Sequence, residues 1–271
     1  MIILHQHFIN LPTADTPTSS RILDSNMYKH YFTNCLGALD GTHMDVHLHP
    51  RDQVRYRNRK GHLTQNVLAV CNFEMEFNYV LAGWEGSAHD NTVLRDAVDN
   101  HGFQTPAKKY WLGDAGYSSS DTVLVPYRGT RYHLKEQLLA SQKPQNSKEL
   151  FNLRHASLRN VVERIFGVVK RKYQILRTPS EYSIETQTRI ILACMALHNY
   201  VRSKEGPNAD MYLEPESTAT RRAREQVQPA IVYPEGVVGS KKMDKFRDQL
   251  AERMWADYQR YITAPEESDQ D

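Results

Sequence analysis

The sequence has only three cysteines, Cys35, Cys71 and Cys194, and each lies in an apolar run. An odd number of dispersed cysteines argues against a disulfide framework and favours buried thiols in a reducing compartment. No segment approaches the roughly 20 apolar residues that a membrane helix needs, so no membrane association is expected. Residues 1–10 are apolar but lack a basic start and a small-residue cleavage site. A secretory signal is therefore not expected.

Several motifs of other protein classes are also missing. There is no G-x-S-x-G elbow, and the cysteines have apolar surroundings, which together argue against a serine or cysteine hydrolase. His47 and His49 alternate on one predicted strand face, but no pair of Cys or His at zinc-finger spacing accompanies them. No two amphipathic helices joined by a tight turn precede the core. We therefore expect no module that places a helix in the DNA major groove.

The net charge of +2 is too small to indicate nucleic-acid binding, but the cations are clustered. The run 51–62 holds five cations against one acid, with Tyr56 among them, and the run 164–177 holds five cations and no acid. Such runs suit a phosphate backbone, although each taken alone fits a solvated loop or helix face equally well. The candidate DNA-binding residues are Arg55, Arg57, Arg59, Lys60, Arg154, Arg159 and Lys170.

The pattern of short apolar runs and amphipathic stretches predicts an α/β core. We divide the chain into an irregular lead-in (1–30), an α/β core (31–203), a Pro-, Gly- and charge-rich linker (204–240), and a C-terminal helix with an acidic tail (241–271). Helix is expected from Lys241 to Ile262, because apolar residues recur there at spacings of three and four. The stretch 186–201 is apolar almost all round and predicts a buried helix, with His198 and Asn199 as a structural hydrogen-bonding pair.

Three carboxylates stand out by their positions. Asp40 follows the apolar run Cys35–Leu39, with a second, alternating strand expected over Met44–Leu48, and Asp114 follows the run 110–113. Glu163 lies on the shoulder of the apolar stripe of a predicted helix. Two strand-borne aspartates and one helix-borne glutamate can converge at one rim of a sheet.

Clustered carboxylates repel one another, and a divalent cation relieves that repulsion. Mg²⁺ and Mn²⁺ prefer such hard oxygen ligands, and two ions together can clamp a phosphodiester. For each residue alone the simpler interpretation remains open: an Asp-Gly after a strand is often just a turn, and a helical Glu is often solvated. The hypothesis of a catalytic site depends on the combination.

Five segments, in order, resemble the successive motifs of the PIF/Harbinger transposases, which include the Harbinger transposase-derived nucleases and belong to the DDE superfamily of endonucleases. They are CLGALDGTHMDVH, GWEGSAHDNTVLRDA, YWLGDAGY, ELFNLRHASLRNVVERIFGVVKRKYQIL and ILACMALHNYV. The resemblance covers about residues 31–203. It implies an RNase H-like fold, with a mixed sheet flanked by helices and followed here by a helical C-terminal extension.

The same resemblance implies that Asp40, Asp114 and Glu163 form the acidic triad. Asp90, in the second motif, would be an N-cap on its own evidence, and the resemblance makes it a further metal ligand. We therefore expect a Mg²⁺- or Mn²⁺-dependent nuclease that cleaves DNA phosphodiester bonds by a two-metal mechanism. The alternative is a domesticated, catalytically inactive descendant that binds DNA or protein.

The expected location is the nucleus, and the expected partner is DNA. Resemblance to Harbinger systems adds a separate Myb-like DNA-binding protein as a partner, and a homo-oligomer is left open.

Overall fold

A computed structural model describes residues 7–130, 143–206 and 240–263. Its centre is a five-stranded mixed sheet in the order β3-β2-β1-β4-β5. The strands are β1 (Cys35–Asp45), β2 (Thr64–Asn72), β3 (Phe77–Glu85), β4 (Tyr110–Leu112) and β5 (Val123–Leu124). β2 pairs antiparallel with both β1 and β3, whereas β4 runs parallel to both β1 and β5. The mixed sheet that was expected is therefore confirmed.

Helices flank both faces of this sheet. They are α1 (Ser20–Leu23), α2 (Gln53–Tyr56), α3 (Asp90–Asn100), α4 (Ser147–Lys172), α5 (Ile184–Glu205) and α6 (Lys241–Thr263). Apolar residues of α3 pack with Leu39, Leu68 and Val70 on one face, and α4, α5 and α6 share a second cluster with Ala38 and Ala69 on the other. Side chains alternate along a strand, so neighbouring residues of β1 enter different cores. None of the described helices is long and apolar enough to cross a membrane.

β1 is longer than the sequence pattern indicated. We expected Asp40 at the end of a strand and a second strand over Met44–Leu48. Instead, pairing with β2 continues without interruption from Gly37 to Asp45, so Asp40 lies in the middle of β1. The predicted alternation of burial does extend to Leu48. Pairing with β2 nevertheless stops at Asp45, because β2 begins opposite that residue.

The long helix α4 forms as its sequence predicts. The Asn146 side chain caps its first turn by accepting a hydrogen bond from the Glu149 backbone N–H at 3.0 Å. Three cations, Lys170–Lys172, occupy its last turn, where they complement the helix dipole. The predicted apolar stripe is buried, and Glu163 is half-buried at its shoulder.

α5 is less buried than expected, because two of its apolar side chains, Leu197 and Tyr200, are 46% and 39% exposed. The structural role predicted for His198 and Asn199 is confirmed. The imidazole of His198 bonds the Met75 carbonyl, and the Asn199 side chain bonds both the N–H and the C=O of Phe77. These side chains therefore satisfy backbone groups at the start of the edge strand β3.

Both ends of the described chain pack into the same core. The lead-in, expected to be irregular, contains α1, and its Ile9, Ile22 and Tyr28 are buried there. α6 confirms the C-terminal helix, with Met254 fully buried. All three cysteines are free and buried, as expected. Residues 207–239, most of the predicted linker, and the tail 264–271 lie outside the described residues.

If α6 is an integral part of the domain, Met254→Ala should lower the free energy of unfolding by about 2–5 kcal/mol, because it leaves a cavity in the shared core. Tyr261→Ala, on the same helix at a position 82% exposed, should change it by less than about 0.5 kcal/mol. Urea denaturation followed by circular dichroism measures both. Equal effects of the two substitutions would contradict this packing.

Candidate catalytic site

The site is built around the centre of β1. Asp40 and Thr42 belong to the face covered by α4, where Arg159 bonds Asp40 and the Lys170 ammonium donates to the Thr42 hydroxyl at 2.9 Å. Gly41, between them, belongs to the α3 face. The alternation of side chains along one strand therefore brings groups from two helices to the same point.

Arg159 connects β1 to α4. Its Nη1 donates to Oδ2 of Asp40 at 3.0 Å, and its Nη2 donates to Oε1 of Glu163, one helical turn away. The Arg159 side chain is only 5% exposed, against 17% for Asp40 and 31% for Glu163. One buried guanidinium thus bridges two of the three predicted triad members.

Asp90 reaches the site because Gly41 has no side chain. A Cβ on Gly41 would lie 2.3 Å from Oδ1 of Asp90, closer than any real contact allows. The same Oδ1 accepts a hydrogen bond from the Asn66 side chain at 2.8 Å. Asp90 is the first residue of α3, and His89 is the N-cap, so the N-cap interpretation of Asp90 was off by one residue. An acid in the first turn still complements the helix dipole.

Asp114 lies in the turn that follows β4. Its Oδ1 accepts the backbone N–H groups of Gly116 at 2.8 Å and Tyr117 at 3.3 Å, which stabilises the turn. Asn91 in α3 holds the same turn, because its side chain donates to the Gly116 carbonyl at 2.7 Å and accepts from the Ser118 N–H at 2.9 Å. The helix that carries Asp90 therefore also positions the loop that carries Asp114.

The acids influence one another electrostatically. Burial raises the pKa of Asp40 well above its ordinary value; the Arg159 charge opposes this, and the charges of Asp114, Asp90 and Glu163 reinforce it. The pKa of Asp114 is raised too, first by burial and further by Asp90, while Arg159 again opposes. Ionised carboxylates are thus disfavoured here unless more positive charge is supplied.

The donor set fits a divalent cation in its chemistry. It offers carboxylate oxygens, which Mg²⁺ and Mn²⁺ prefer, in a place where positive charge relieves a raised pKa. The amide oxygen of Asn66, beside Gly41 and Asp90, is buried and has no hydrogen-bond partner. Within the described ranges, however, no group of three or more His, Cys, Asp or Glu side chains is arranged to hold one ion. Arg159 is the cation that Asp40 and Glu163 bind instead.

The predicted DNA-binding residues fall into different environments. Arg59 contacts the ring of His89 at 2.7 Å, directly beside Asp90, and Lys170 also bonds the His43 carbonyl at 2.9 Å. Arg59 is therefore next to Asp90 through His89, and Lys170 is next to the part of β1 that follows Asp40.

The remaining cations of that set lie elsewhere. Arg55, Arg57 and Lys60 are exposed along the basic run. The Arg154 guanidinium packs 5.1 Å from the centroid of the Tyr31 ring.

The basic run is fixed to the segment that leads to Asp90. The Ser87 N–H donates to the Arg55 carbonyl at 3.3 Å, and a Cβ on Gly86 would lie 2.5 Å from the Tyr56 carbonyl oxygen. Gly86 thus permits a close approach that a larger residue would prevent. The basic run is therefore held against the segment that precedes Asp90.

Three features of the site were missed from the sequence: the internal pairing of Arg159, which we took for a DNA contact, and the roles of Asn66 and Asn91. A signal existed for the first, because an Arg four residues before a Glu on a helix predicts an ion pair. A weaker signal existed for Asn66, which is a polar residue at the start of a strand that is otherwise apolar. Asn91 gave none, because its partners lie 25 and 27 residues away.

Comparison with known proteins decides the family. A model described as DDE superfamily endonuclease matches residues 39–199, more than half of the chain. The chain belongs to the DDE superfamily endonucleases. Asp40, Asp90, Asp114 and Glu163 all fall within the matched range. The predicted membership of this superfamily is confirmed, and the sheet order agrees with its RNase H-like fold.

Relatives of this DDE endonuclease have Harbinger-related names. "Putative nuclease HARBI1" of Rattus norvegicus is 26% identical over 197 residues, which is 71% of this chain and 52% of the relative. "Protein ALP1-like" of Arabidopsis thaliana is 27% identical over 203 residues, covering 65% of this chain and 45% of the relative. The chain thus spans about half the length of the curated relatives it matches. No solved structure matches it significantly.

The electrostatics of Asp40 predict how metal-free stability depends on pH. Because the folded-state pKa of Asp40 is raised, ionisation of Asp40 destabilises the folded protein. This destabilisation is absent below the ordinary Asp pKa and grows as the pH rises above it. Asp40→Asn should therefore raise the melting temperature in EDTA by about 2–4 °C at pH 8, and by less at pH 5.

Differential scanning calorimetry at the two pH values measures this effect. Asp99→Asn, at an exposed position of α3, serves as the control and should give no pH-dependent gain. A lower melting temperature for Asp40→Asn at pH 8 would show that its pairing with Arg159 outweighs the repulsion.

Proposed function

We propose that this chain is the catalytic domain of a Mg²⁺- or Mn²⁺-dependent DNA endonuclease or strand transferase. The observation that carries the proposal is that Asp90, Asp114 and Glu163, each from a different element, lie close enough to Asp40 of β1 to interact with its charge. The pKa values of Asp40 and Asp114 support it, because burial raises both and neighbouring acids raise them further. Membership of the DDE superfamily endonucleases supports the reaction class.

Asp40, Asp114 and Glu163 would hold the metal ions, and Asp90 would add a ligand. When bound, two divalent ions supply activation of the attacking oxygen and stabilisation of the leaving oxygen of a phosphodiester. The residues of the chain determine where this happens. Backbone N–H groups orient the Asp114 carboxylate, and the Asn66 amide orients that of Asp90. Such preorganisation keeps the cost of ordering the site low during the reaction.

Lys170 and Arg59 support DNA as the substrate, because each places a cation beside the acids, Arg59 at His89 next to Asp90 and Lys170 at Thr42 and His43 of β1. A phosphodiester backbone held at the acids would meet the positive charge of both residues. Arg55, Arg57 and Lys60 would extend that contact along the basic run, with Arg154 as a further candidate. Arg159 drops out of the predicted set, because it is buried and paired with Asp40 and Glu163. Such phosphate contacts position a duplex without reading its bases.

An inactive descendant that binds DNA or protein is the second candidate. The observation that favours it is the pairing of Arg159 with two of the acids, without a preassembled group of ligands among the described residues. We further propose that the protein acts in the nucleus, with sequence targeting from a Myb-like partner. A homo-oligomer would be compatible with either function.

The catalytic proposal predicts DNA nicking or cleavage with Mg²⁺ or Mn²⁺ and none with EDTA. Asp114→Ala should abolish cleavage, because it removes a proposed metal ligand. The circular dichroism spectrum should stay native, because Asp114 lies in a turn and not in a strand or helix. Asp99→Asn should cleave at the wild-type rate. Supercoiled plasmid relaxation measures all three proteins. Cleavage by Asp114→Ala at the wild-type rate would exclude this site, and no cleavage by the wild type would favour the inactive descendant.

The DNA-binding proposal predicts weak binding, with similar affinity for random and selected duplexes and a steep dependence on salt. The double variant Arg59→Gln/Lys170→Gln should reduce the slope of log K against log salt by about 2, since each lost phosphate contact removes about 1. Arg260→Gln, at a position 80% exposed on α6, should leave the slope unchanged. Fluorescence anisotropy at several salt concentrations measures the slopes. A thousand-fold sequence preference that persists at high salt would contradict nonspecific binding.

A further inference from the structure

The strongest unexplained feature of the site is the position of Arg159. In most ion pairs the cation and the acid each face solvent, but here the guanidinium is 5% exposed and lies among acids that the proposed function assigns to metal ions. A surface phosphate contact does not explain such burial. Burying an arginine is costly unless its charge is fully compensated, which Asp40 and Glu163 do here.

We propose that Arg159 is an internal counter-cation, which neutralises Asp40 and Glu163 in the metal-free protein and competes with a divalent ion for them. The inference rests on the proposed function, since it takes these acids as metal ligands. It assigns Arg159 the role of a positioning residue that sets the metal concentration at which the site assembles.

The hydrogen bonds of Asp40 carry the first step. Its Oδ2 accepts from Arg159 at 3.0 Å, and its Oδ1 accepts from the Gly41 backbone N–H at 2.8 Å. Both oxygens are therefore already engaged by N–H donors. Because Glu163 is held by the same guanidinium, a metal ion that draws on both acids must displace or share one arginine. One rearrangement would thus free two ligands together.

The chemistry of arginine carries the second step. Its guanidinium stays protonated at any pH a folded protein meets, so it cannot leave the acids by losing its proton. It can be removed only by a competing cation or by a competing anion. A divalent ion carries twice the charge of a guanidinium. It can therefore also relieve the repulsion between Asp40 and the nearby Asp90 and Asp114, which Arg159 alone does not remove.

The third step is the balance between stability and affinity. Without Arg159, the metal-free site would hold Asp40 and Glu163 with no paired cation, so the folded state would be less stable. The same change would remove the competitor and make the site more negative, so metal binding would tighten. A residue that only holds the acids in position for metal would act the other way, because its loss would weaken binding. The two roles therefore predict opposite signs.

The test is the dissociation constant for Mn²⁺, measured by calorimetry on the full chain without DNA. Arg159→Gln should bind Mn²⁺ about tenfold more tightly than the wild type, because a positive charge in direct contact with two ligands is lost. Arg159→Lys keeps the charge but cannot span both acids with a planar fork, so it should bind about threefold more tightly. Arg164→Gln removes one exposed cation next to Glu163 and should change the constant by less than about twofold.

The melting temperature supplies a second readout. In EDTA, Arg159→Gln should melt below the wild type, and saturating Mn²⁺ should raise its melting temperature by more than it raises that of the wild type. If Arg159→Gln does not fold without metal, the Arg159→Lys constant decides. Unchanged or weaker Mn²⁺ binding by a folded Arg159 variant would overturn the proposal. Asp114→Asn in the wild-type background separates the two hypotheses: if it leaves Mn²⁺ binding intact, the ions bind elsewhere, and the proposed metal site itself fails.

Discussion

The site depends on one electrostatic constraint: the partly buried acids Asp90, Asp114 and Glu163 lie close enough to Asp40 to raise its pKa. Ionised groups gathered in a poorly solvated place destabilise a fold unless each is paired or hydrogen-bonded. The chain meets this requirement with three kinds of partner. Asp40 and Glu163 share a guanidinium, Asp114 takes two backbone N–H groups, and Asp90 takes a side-chain amide. Even so, the pKa values of Asp40 and Asp114 remain raised, so the compensation is incomplete.

This requirement explains why the site occupies the middle of the sheet. β1 is the central strand, with β2 on one side and β4 on the other, so it can receive a helix on each face. Alternation then sends Asp40 towards α4 and leaves Gly41 open towards α3. The turn after the parallel neighbour β4 brings Asp114 to the same point. A strand at the edge of the sheet would lack one of these neighbours and could gather fewer acids.

The sequence predicted burial correctly where the pattern within one helix or strand depends only on which face of that element packs against the core. The apolar stripe of α4, the spacing of α6 and the alternation after Thr42 predicted burial correctly, because each reports which face meets a core. The three candidate acids were selected because Asp40 and Asp114 follow apolar runs and Glu163 flanks an apolar stripe, and the order of the motifs joined them. Pattern alone could not tell that β1 continues through Asp40, since an Asp-Gly pair is typical of turns. Only the pairing with β2, a partner distant in sequence, keeps that segment extended.

The roles that the sequence did not reveal depend on which residues of other elements lie nearby in the fold, and the residue type alone does not indicate this. Asn91 acts on a loop 25 residues away, and Asn66 acts on Asp90, which is 24 residues away. Arg159 is a residue type that commonly contacts DNA, but it is as buried as a core residue. An arginine on the helix that carries Glu163 can point its side chain towards the solvent or towards the acids. Which of the two it does depends on where β1 crosses α4. The crossing places Asp40 beside Arg159, so the energy of pairing two acids at once outweighs the hydration of an exposed guanidinium. The charge of Arg159 is thus used inside the protein, whereas Arg59 lies beside Asp90 through His89 and Lys170 lies beside Thr42 and His43.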